Sequence, residues 1–352
     1  MKNVTSLAID IAKNVFQLHG TDRTGRAILK MRVQRTKLSE IIANMPPCKI
    51  YMEACATSNY WGREFTKLGH SVKLINPKYV TPYVKRNKND KNDAAGIAAA
   101  SRDPDMRFCE VKTEDQQDMQ SIHRIRRLLI GQRTAIANQL RGILAEYGEA
   151  IPKGINQIDK HMPKILGDNP KNMGALILNS LQTLYDIFKN LGKQIAVYDR
   201  TIDAIFKENE TCQKLASIPG VGKISATILA AVLGTGGAFK NGRHFAAFLG
   251  LVPRQHSSGN KERLLGISKG GDTYIRTLLT HGGRAVILWS NKKTDRVNIW
   301  VKNLVSRRGK NKAAIALANK IARTAWAIVH ENTTFTLNHK PKINSPARSI
   351  GS

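Results

Sequence analysis

Short apolar runs in the first third of the chain predict a mixed sheet covered by helices. Five of them have the length and composition of strands: residues 4–10, 15–19, 27–33, 49–53 and 71–75. The first three follow one another at hairpin spacing. The later ones alternate with helices predicted at 38–44 and 60–68, which end at Pro46 and Gly69. Hairpin strands followed by strand–helix alternation are typical of a sheet with antiparallel and parallel pairs.

Helical periodicity dominates the middle of the chain. Apolar residues recur at intervals of three and four over residues 114–148, which predicts one long helix. The segment 150–175 is rich in Pro, Gly, Lys and Asn and is predicted to be a linker. Two further helices are predicted at about 174–190 and 192–209. Folded back on the first helix, they would form an antiparallel arm suited to dimerisation.

A glycine turn opens the C-terminal third. A helix end, the sequence Pro-Gly-Val-Gly and a new helix from Lys223 resemble a helix-hairpin-helix. Gly220 and Gly222 would let the backbone approach a phosphate, and the following helix N-terminus would favour an anion. The alternative is an ordinary glycine turn between core helices.

The remaining C-terminal segments are predicted to be two helices, a basic stretch between them and a disordered tail. Helices are predicted at 273–289 and 313–329. Between them, residues 291–312 carry many lysines and arginines and a single acid, Asp295. The residues after about 331 have the composition of a disordered tail.

The charge balance indicates a polyanionic partner. The chain has 352 residues, with 56 Lys and Arg against 26 Asp and Glu, and a formal net charge of +30. Nucleic acid is the first candidate. No segment has 18 unbroken apolar residues, so no membrane partner is expected. The four cysteines include no CxxC pair, which argues against a zinc knuckle or disulfide framework and favours a reducing cytoplasm.

Four acidic residues stand where they could converge on a metal ion. Asp90 and Asp93, three apart at the start of an alanine-rich helix, share one helix face. Asp10 ends the first predicted strand and Glu53 ends the fourth. If those strands are neighbours and the helix packs across their ends, the carboxylates form a two-metal site for phosphoryl chemistry. Each acid alone also fits a solvated helix start or a turn at a strand end.

A polar, glycine-rich loop follows the apolar segment 245–253. Ser257 and Ser258 precede Gly259, which places two hydroxyls on flexible backbone, although serine is also a common turn residue. Four basic residues nearby would gather phosphates: Lys261, Arg263, Lys269 and Arg276. The chain has no nucleophile elbow with Asp and His partners, so a serine hydrolase is not predicted.

Together these motifs resemble the DEDD transposases of insertion sequences. Asp10 in Leu-Ala-Ile-Asp-Ile-Ala-Lys, Glu53 in Tyr-Met-Glu-Ala-Cys and the run 88–94 are similar to that family's acidic tetrad. The segment 250–276 is similar to the signature of its C-terminal domain, in the subgroup with a Ser-Ser-Gly motif. The resemblance spans roughly residues 4–330.

The resemblance implies three structural parts. They are an α/β N-terminal domain of RNase H-like (RuvC-like) fold, a long helical coiled-coil arm, and a mainly α C-terminal domain with the helix-hairpin-helix. The implied boundaries are 1–112 for the catalytic domain, 113–210 for the arm, 211–335 for the C-terminal domain and 336–352 for a disordered tail.

The resemblance also implies a chemistry and a set of partners. The acidic tetrad would bind Mg²⁺ (or Mn²⁺), and Ser258, with Ser257 as the alternative, would attack a DNA phosphate to form a phosphoserine link. Members of the family act as homodimers to homotetramers in which the acids of one subunit meet the serine of another. A noncoding RNA encoded by the element guides the choice of target and donor DNA. The implied location is the bacterial cytoplasm, in association with the nucleoid.

The residues leave three other functions open. A junction-type metal-dependent nuclease would use only the acids and water, and would form no covalent intermediate. An actin-like ATPase shares the sheet order but needs glycine-rich phosphate loops, which the segment 10–13 lacks. A non-catalytic RNA-binding protein is disfavoured because four placed acids would repel RNA unless a metal neutralised them.

Overall fold

The computed structural model describes residues 3–84, 90–168, 172–259, 261–292 and 294–336, without the side chains of Asp90 and Lys91. The predicted disordered tail falls almost entirely on residues 337–352, outside this described part. The chain divides into two compact units, Met1–Gln117 and Asp118–Ser352. No helix among the described residues combines the length and apolar composition of a membrane span.

The N-terminal unit is built around one six-stranded sheet. Its elements are β1 (Ser6–Ile11), β2 (Val15–Thr21), β3 (Ala27–Gln34), α1 (Arg35–Ala43), β4 (Lys49–Glu53), α2 (Ser58–Lys67), β5 (Ser71–Ile75), α3 (Pro77–Val80), α4 (Asp90–Ala100) and β6 (Phe108–Cys109). The strand order is β3-β2-β1-β4-β5-β6. The pairs β1–β4 and β4–β5 are parallel and the others antiparallel. This is the predicted mixed sheet, and it is consistent with an RNase H-like domain.

Alternating apolar side chains bury both faces of this sheet. Leu7 and Ile9 of β1 belong to one core cluster, together with Phe65 of α2. Ala8, between them, lies on the opposite face in a cluster with Ile97 of α4. The central strands therefore have a helix layer on each side, and the position of a residue along a strand decides which layer its side chain meets.

The second unit is mostly helical. Its elements are α5 (Glu114–Glu146), which begins in the first unit, α6 (Ile155–Gly167), α7 (Ala175–Glu208), α8 (Glu210–Ala216), α9 (Lys223–Leu233), α10 (Gly242–Phe248), β7 (Pro253–Gln255), β8 (Leu264–Ile267), α11 (Thr273–Trp289), α12 (Arg296–Arg308) and α13 (Lys310–Glu331). One apolar core joins α8 to α13. A second joins α5, α6 and α7, and the Arg126 guanidinium of α5 pairs with the Asp199 carboxylate of α7 at 2.6 Å.

The prediction of a linker at 150–175 is wrong, because this segment contains α6. Ile158, Met162 and Ile165 recur at helical spacing and are buried against α5 and α7. Burial of one such side chain contributes about 1.5–3 kcal/mol. The stripe therefore outweighs the penalty of about 3 kcal/mol for Pro163 inside the helix.

The prediction of two helices at 174–190 and 192–209 is also wrong, because α7 is continuous. Gly192 lies near its middle, and a helix-interior glycine costs only about 1 kcal/mol relative to alanine. Phe188 and Ile195, on either side of it, are both buried. The apolar stripe therefore continues across the glycine and keeps the helix intact.

Candidate active site

Asp10 and Glu53 lie side by side at the carboxyl ends of two central strands. Ile9 of β1 is paired with Met52 of the parallel strand β4. The next residues, Asp10 and Glu53, are therefore adjacent on strands about 4.8 Å apart. Because side chains alternate along a strand, Asp10 shares the sheet face of Ala8, which is the face covered by α4. The predicted adjacency of these two strands is confirmed.

Helix α4 crosses this face with its N-terminus directed toward the two acids. Ile97 packs in one cluster with Ala8 and Tyr51. Just beyond the helix, Arg102 donates from a guanidinium nitrogen to the Gly25 backbone oxygen at 2.6 Å. Gly25 lies in the β2–β3 turn, at the end of the sheet where β1 begins. The helix therefore runs antiparallel to β1, and its first turn lies toward the end of the sheet where β1 ends.

The predicted helix face of Asp90 and Asp93 is the face that packs on the sheet. Asp93 lies one turn before Ile97 and is half-buried. Asp90 is the first residue of α4 and lies three positions earlier on the same face, while its side chain is outside the described residues. The backbone therefore places both aspartates in the part of α4 that is directed toward the strand-end acids.

The charges of both strand-end carboxylates act on the thiol of Cys55. Burial, and then the negative charges of Glu53 and Asp10, raise the pKa of Cys55 above its ordinary value. Both acids therefore lie within electrostatic reach of one atom. Among the side chains that the structure describes, no three His, Cys, Asp or Glu residues form a group close enough to hold a metal ion. The described part of the tetrad is thus an adjacent pair of acids with Asp93 on the helix directed at them.

The serine motif lies at the tip of a β-hairpin, where the sequence predicts only a polar loop. Strand β7 pairs with β8, and Ser258 forms a further antiparallel bridge with Lys261. The Ser257 hydroxyl accepts a hydrogen bond from the Gln255 amide at 3.0 Å and another from the Arg263 backbone N–H at 3.3 Å. Ser258 is exposed, and no hydrogen bond engages its hydroxyl within the described part of the chain. The two serines therefore differ in that hydrogen bonds hold the hydroxyl of Ser257.

Close backbone packing fixes the base of this hairpin. Gly250 and Gly271 both have positive φ, +70° and +69°. A Cβ atom on Gly271 would lie 1.9 Å from the Phe248 backbone oxygen, and one on Gly250 would lie 2.2 Å from the Gly270 oxygen. Only glycine fits at either position. The hairpin thus combines a firmly packed base with an exposed tip.

The basic residues around the serines have two different roles. Lys261 and Arg263 lie on the exposed part of the hairpin beside the hydroxyls, and Lys269 is exposed at its base. Arg276 of α11 donates from its guanidinium group to two backbone carbonyls of the hairpin base, at 3.0 and 2.8 Å. Arg276 therefore has a structural role that the sequence does not indicate.

The predicted glycine turn connects α8 to α9, and packing explains its first glycine. Gly220 has a φ of +90°, and a Cβ there would lie 2.8 Å from the Gly282 backbone oxygen of α11. Gly222 precedes α9 and has open space around it. The Lys223 ammonium pairs with the Asp203 carboxylate of α7 at 3.0 Å. The turn is anchored to two helices, and its contact with phosphate stays a prediction.

A buried histidine that the sequence patterns do not indicate joins three helices. His123 of α5 lies with Nδ1 3.1 Å from the Tyr274 hydroxyl of α11 and Nε2 2.9 Å from Thr227 Oγ1 of α9. Since the Thr227 hydroxyl donates to the Lys223 backbone oxygen at 3.0 Å, the imidazole donates from Nε2 and accepts at Nδ1. A single histidine within an apolar helical stripe gives no sequence signal for this network.

His123 should make the stability of the protein depend on pH. Burial, and then the charge of Arg126, lower the pKa of His123 from 6.5 to about 4. The unfolded chain therefore binds a proton that the folded chain does not, and stability is lost as the pH falls from about 6.5 to about 4. The two values differ by the equivalent of about 3 kcal/mol. Urea unfolding at pH 7.5 and pH 4.5 measures this loss, and it should be smaller in His123→Gln. An equal loss in both proteins would contradict the role of His123.

Two family models match separate parts of the chain. The model described as the transposase IS116/IS110/IS902 family matches residues 212–297, which contain the glycine turn and the serine hairpin. A model for the DEDD transposases of IS110 type, described as a transposase, matches residues 7–149, which contain all four acids. The two matches cover the acidic motifs and the serine motif, which carry the family resemblance.

Related proteins cover nearly the whole chain. The transposase for insertion sequence element IS1111A of Coxiella burnetii is 43% identical over 95% of this chain and 92% of its own length. A probable family 20 transposase of Pseudomonas aeruginosa is 42% identical over 95% and 99%. The transposase for insertion sequence element IS1328 of Yersinia enterocolitica is 39% identical over 96% and 100%. This degree of identity along the full length, together with the two model matches, means that the chain belongs to the IS116/IS110/IS902 family of insertion-sequence transposases, which are enzymes that act on DNA.

Proposed function

We propose that this transposase cuts and exchanges DNA strands through a covalent phosphoserine intermediate, with Mg²⁺ (or Mn²⁺) and a guide RNA encoded by its element. The observation that carries the proposal is the position of Asp10 and Glu53 on adjacent parallel strands, with the first turn of α4 directed toward them. Acids at the ends of two adjacent strands, with two more on the helix directed toward them, are suited to phosphoryl chemistry rather than to packing.

The residues that would hold the metal are Asp10, Glu53, Asp90 and Asp93. Carboxylate oxygens are the ligands that Mg²⁺ and Mn²⁺ favour, and a pair of adjacent acids is stabilised by a cation between them. A bound divalent ion supplies charge stabilisation to the attacking and leaving oxygens of a phosphoryl transfer.

Ser258 is the nucleophile in this proposal. Its Oγ forms a bond to phosphorus, the bond from phosphorus to the leaving DNA oxygen breaks, and the hydroxyl proton ends on that leaving oxygen. The phosphodiester energy is kept in the phosphoserine link, so the reverse step can reseal a different strand without ATP. Two observations favour Ser258 over Ser257. Ser258 lies at the exposed hairpin tip, and Ser257 already accepts two hydrogen bonds.

Nucleic acid and a second subunit complete the proposal. Lys261 and Arg263 lie next to the serines and would hold the phosphates that flank the attacked one. Two further groups would contact the DNA backbone at a greater distance from the serines. One is Lys269 with the remaining N–H groups of Arg276, and the other is the glycine turn at Gly220, Gly222 and Lys223. The assembly would be a homodimer to homotetramer, in which the acids of one subunit act with the serine of another. Guide RNA would read sequence by base pairing, so the protein needs mainly backbone contacts.

The test is the capture of a protein–DNA adduct. Full-length protein with its co-purified RNA is incubated with labelled DNA carrying the ends of its own element, and denaturing gels measure the labelled protein. Adduct is expected only when both RNA and Mg²⁺ are present, and to be lost after ribonuclease or EDTA treatment. Strand cleavage without any adduct would instead support a junction-type nuclease, and adduct formed after ribonuclease treatment would remove the guide RNA.

A further inference from the structure

Three helices of the second unit enclose a basic groove that the proposed chemistry does not use. It has a volume of about 490 Å³ and lies between the end of α11, the second half of α12 and the start of α13. Arg284, Lys302 and Lys310 line it, one from each helix, together with the amides of Asn291 and Asn311. These side chains offer cationic groups and hydrogen-bond donors to one bound molecule.

Basic, polar and apolar side chains make up the lining of the groove. No acidic side chain lines it within the described part of the chain. Asp295, the one acid between residues 291 and 312, accepts hydrogen bonds from the Val297 and Asn298 backbone N–H groups at 3.0 and 3.1 Å. This carboxylate caps the N-terminus of α12. The basic stretch of the sequence thus folds so that its acid is engaged in the helix cap, away from the groove lining.

Apolar side chains are exposed at the same place. Leu288, which lines the groove, is 75% exposed. The next residue, Trp289, is not one of the lining residues and is 56% exposed. The Lys292 ammonium lies 5.1 Å from the centre of the Trp289 ring. Exposed apolar residues that adjoin one another mark interaction surfaces more often than isolated ones do. Leu288 shares the groove lining with three cationic side chains, and Trp289 carries the Lys292 ammonium over its ring. Such a charged setting is unsuited to the apolar interior of a membrane.

Cations beside exposed aromatic and aliphatic side chains are the combination that binds single-stranded nucleic acid. Lysine and arginine neutralise phosphates, and unpaired bases stack on aromatic surfaces. A duplex keeps its base faces stacked inside, so it cannot use Leu288 and Trp289 in this way. Strand exchange leaves segments of DNA unpaired, which supplies such a ligand at the enzyme.

We propose that the α11–α12–α13 groove binds a single-stranded segment of DNA, with phosphates on Arg284, Lys302 and Lys310 and a base against Leu288 and Trp289. This site is separate from the proposed catalytic acids and serine. Its use in strand exchange rests on the proposed function. Its binding property does not depend on cleavage and can be measured separately from it.

Fluorescence anisotropy with labelled oligothymidylate of 15 nucleotides tests the groove, using full-length protein freed of RNA. The double variant Arg284→Ala/Lys310→Ala should bind about tenfold more weakly, and the salt dependence of its binding should be less steep by about one to two in log–log slope. Trp289→Ala should bind about tenfold more weakly with little change of slope. The matched control Lys153→Ala/Lys160→Ala removes two exposed lysines from the α6 region and should bind as the wild type does.

Several outcomes would contradict the proposal that the groove binds single-stranded DNA. These are unchanged binding by both groove variants, an equal loss in the lysine control, or equal competition by a duplex of the same length. If the groove variants weaken the binding of oligouridylate but not that of oligothymidylate, the groove binds RNA instead of DNA. Thermal unfolding of each variant checks that the fold is intact. If the wild-type protein binds oligothymidylate through the groove but forms no adduct with DNA, the phosphoserine step is refuted. The proposed binding of single-stranded DNA in the groove is then unaffected.

Discussion

Replacement of Ser258 by alanine is expected to abolish the covalent protein–DNA complex and to lower strand exchange by about 10⁴-fold or more. The hydroxyl oxygen is the only atom of that side chain that can form the bond to phosphorus. Loss of the nucleophile in serine enzymes lowers activity by factors of this size. Ser258 lies at an exposed hairpin tip, so the substitution removes no buried contact. Adduct yield on denaturing gels and product formation with element-end DNA measure the two effects.

The matched control is Ser257→Ala, because the two serines are adjacent and both exposed. This change removes two hydrogen bonds within the hairpin, from Gln255 and from the Arg263 backbone. Activity should fall only moderately, by about tenfold, since a distorted tip still carries its nucleophile. The reverse pattern, with Ser257→Ala inactive and Ser258→Ala active, would move the nucleophile to Ser257. Adduct formation by both variants would exclude the serine motif.

The N-terminal unit could be predicted well because its signals are local. The apolar alternation of β1 and β4 sets their strand character, and a carboxylate at the end of each is visible in the sequence as Asp10 and Glu53. The sequence leaves open whether these two strands are neighbours, and their parallel register shows that they are. The direction of α4 could not be read from the sequence, because it depends on the contact of Arg102 with the β2–β3 turn, 77 residues away.

The middle and C-terminal parts were harder because tertiary packing outweighs local breakers. Pro163 and Gly192 indicate interruptions, yet buried stripes on both sides keep α6 and α7 helical. The serine hairpin depends on the packing of Gly250 against Gly270, which are 20 residues apart. His123 joins partners more than 100 residues away. Such contacts follow from the assembled core and leave no periodic trace in the sequence.

Asp10→Asn and Glu53→Gln should each reduce strand cleavage by about 10³-fold while leaving nucleic acid binding intact. Each change keeps the shape of the side chain and removes a negative charge that would hold the metal ion, whose charge stabilisation amounts to several kcal/mol. Asp93→Asn should behave similarly, since Asp93 lies on the helix directed at the same place. Cleavage is followed with labelled DNA over a series of Mg²⁺ concentrations.

A matched control separates the metal role from general electrostatics. Glu40→Gln removes one charge from α1, a helix packed against the other face of the sheet, where the acid is exposed. It should cleave as the wild type does. Binding to RNA should be unchanged or slightly tighter in all four variants, because each lowers the repulsion of phosphate. Higher Mg²⁺ or Mn²⁺ should partly restore the Asp10 and Glu53 variants if weakened metal affinity is the cause. Wild-type cleavage by either variant would refute a catalytic centre at the ends of β1 and β4, because a lost ligand on either strand must weaken an ion held by both.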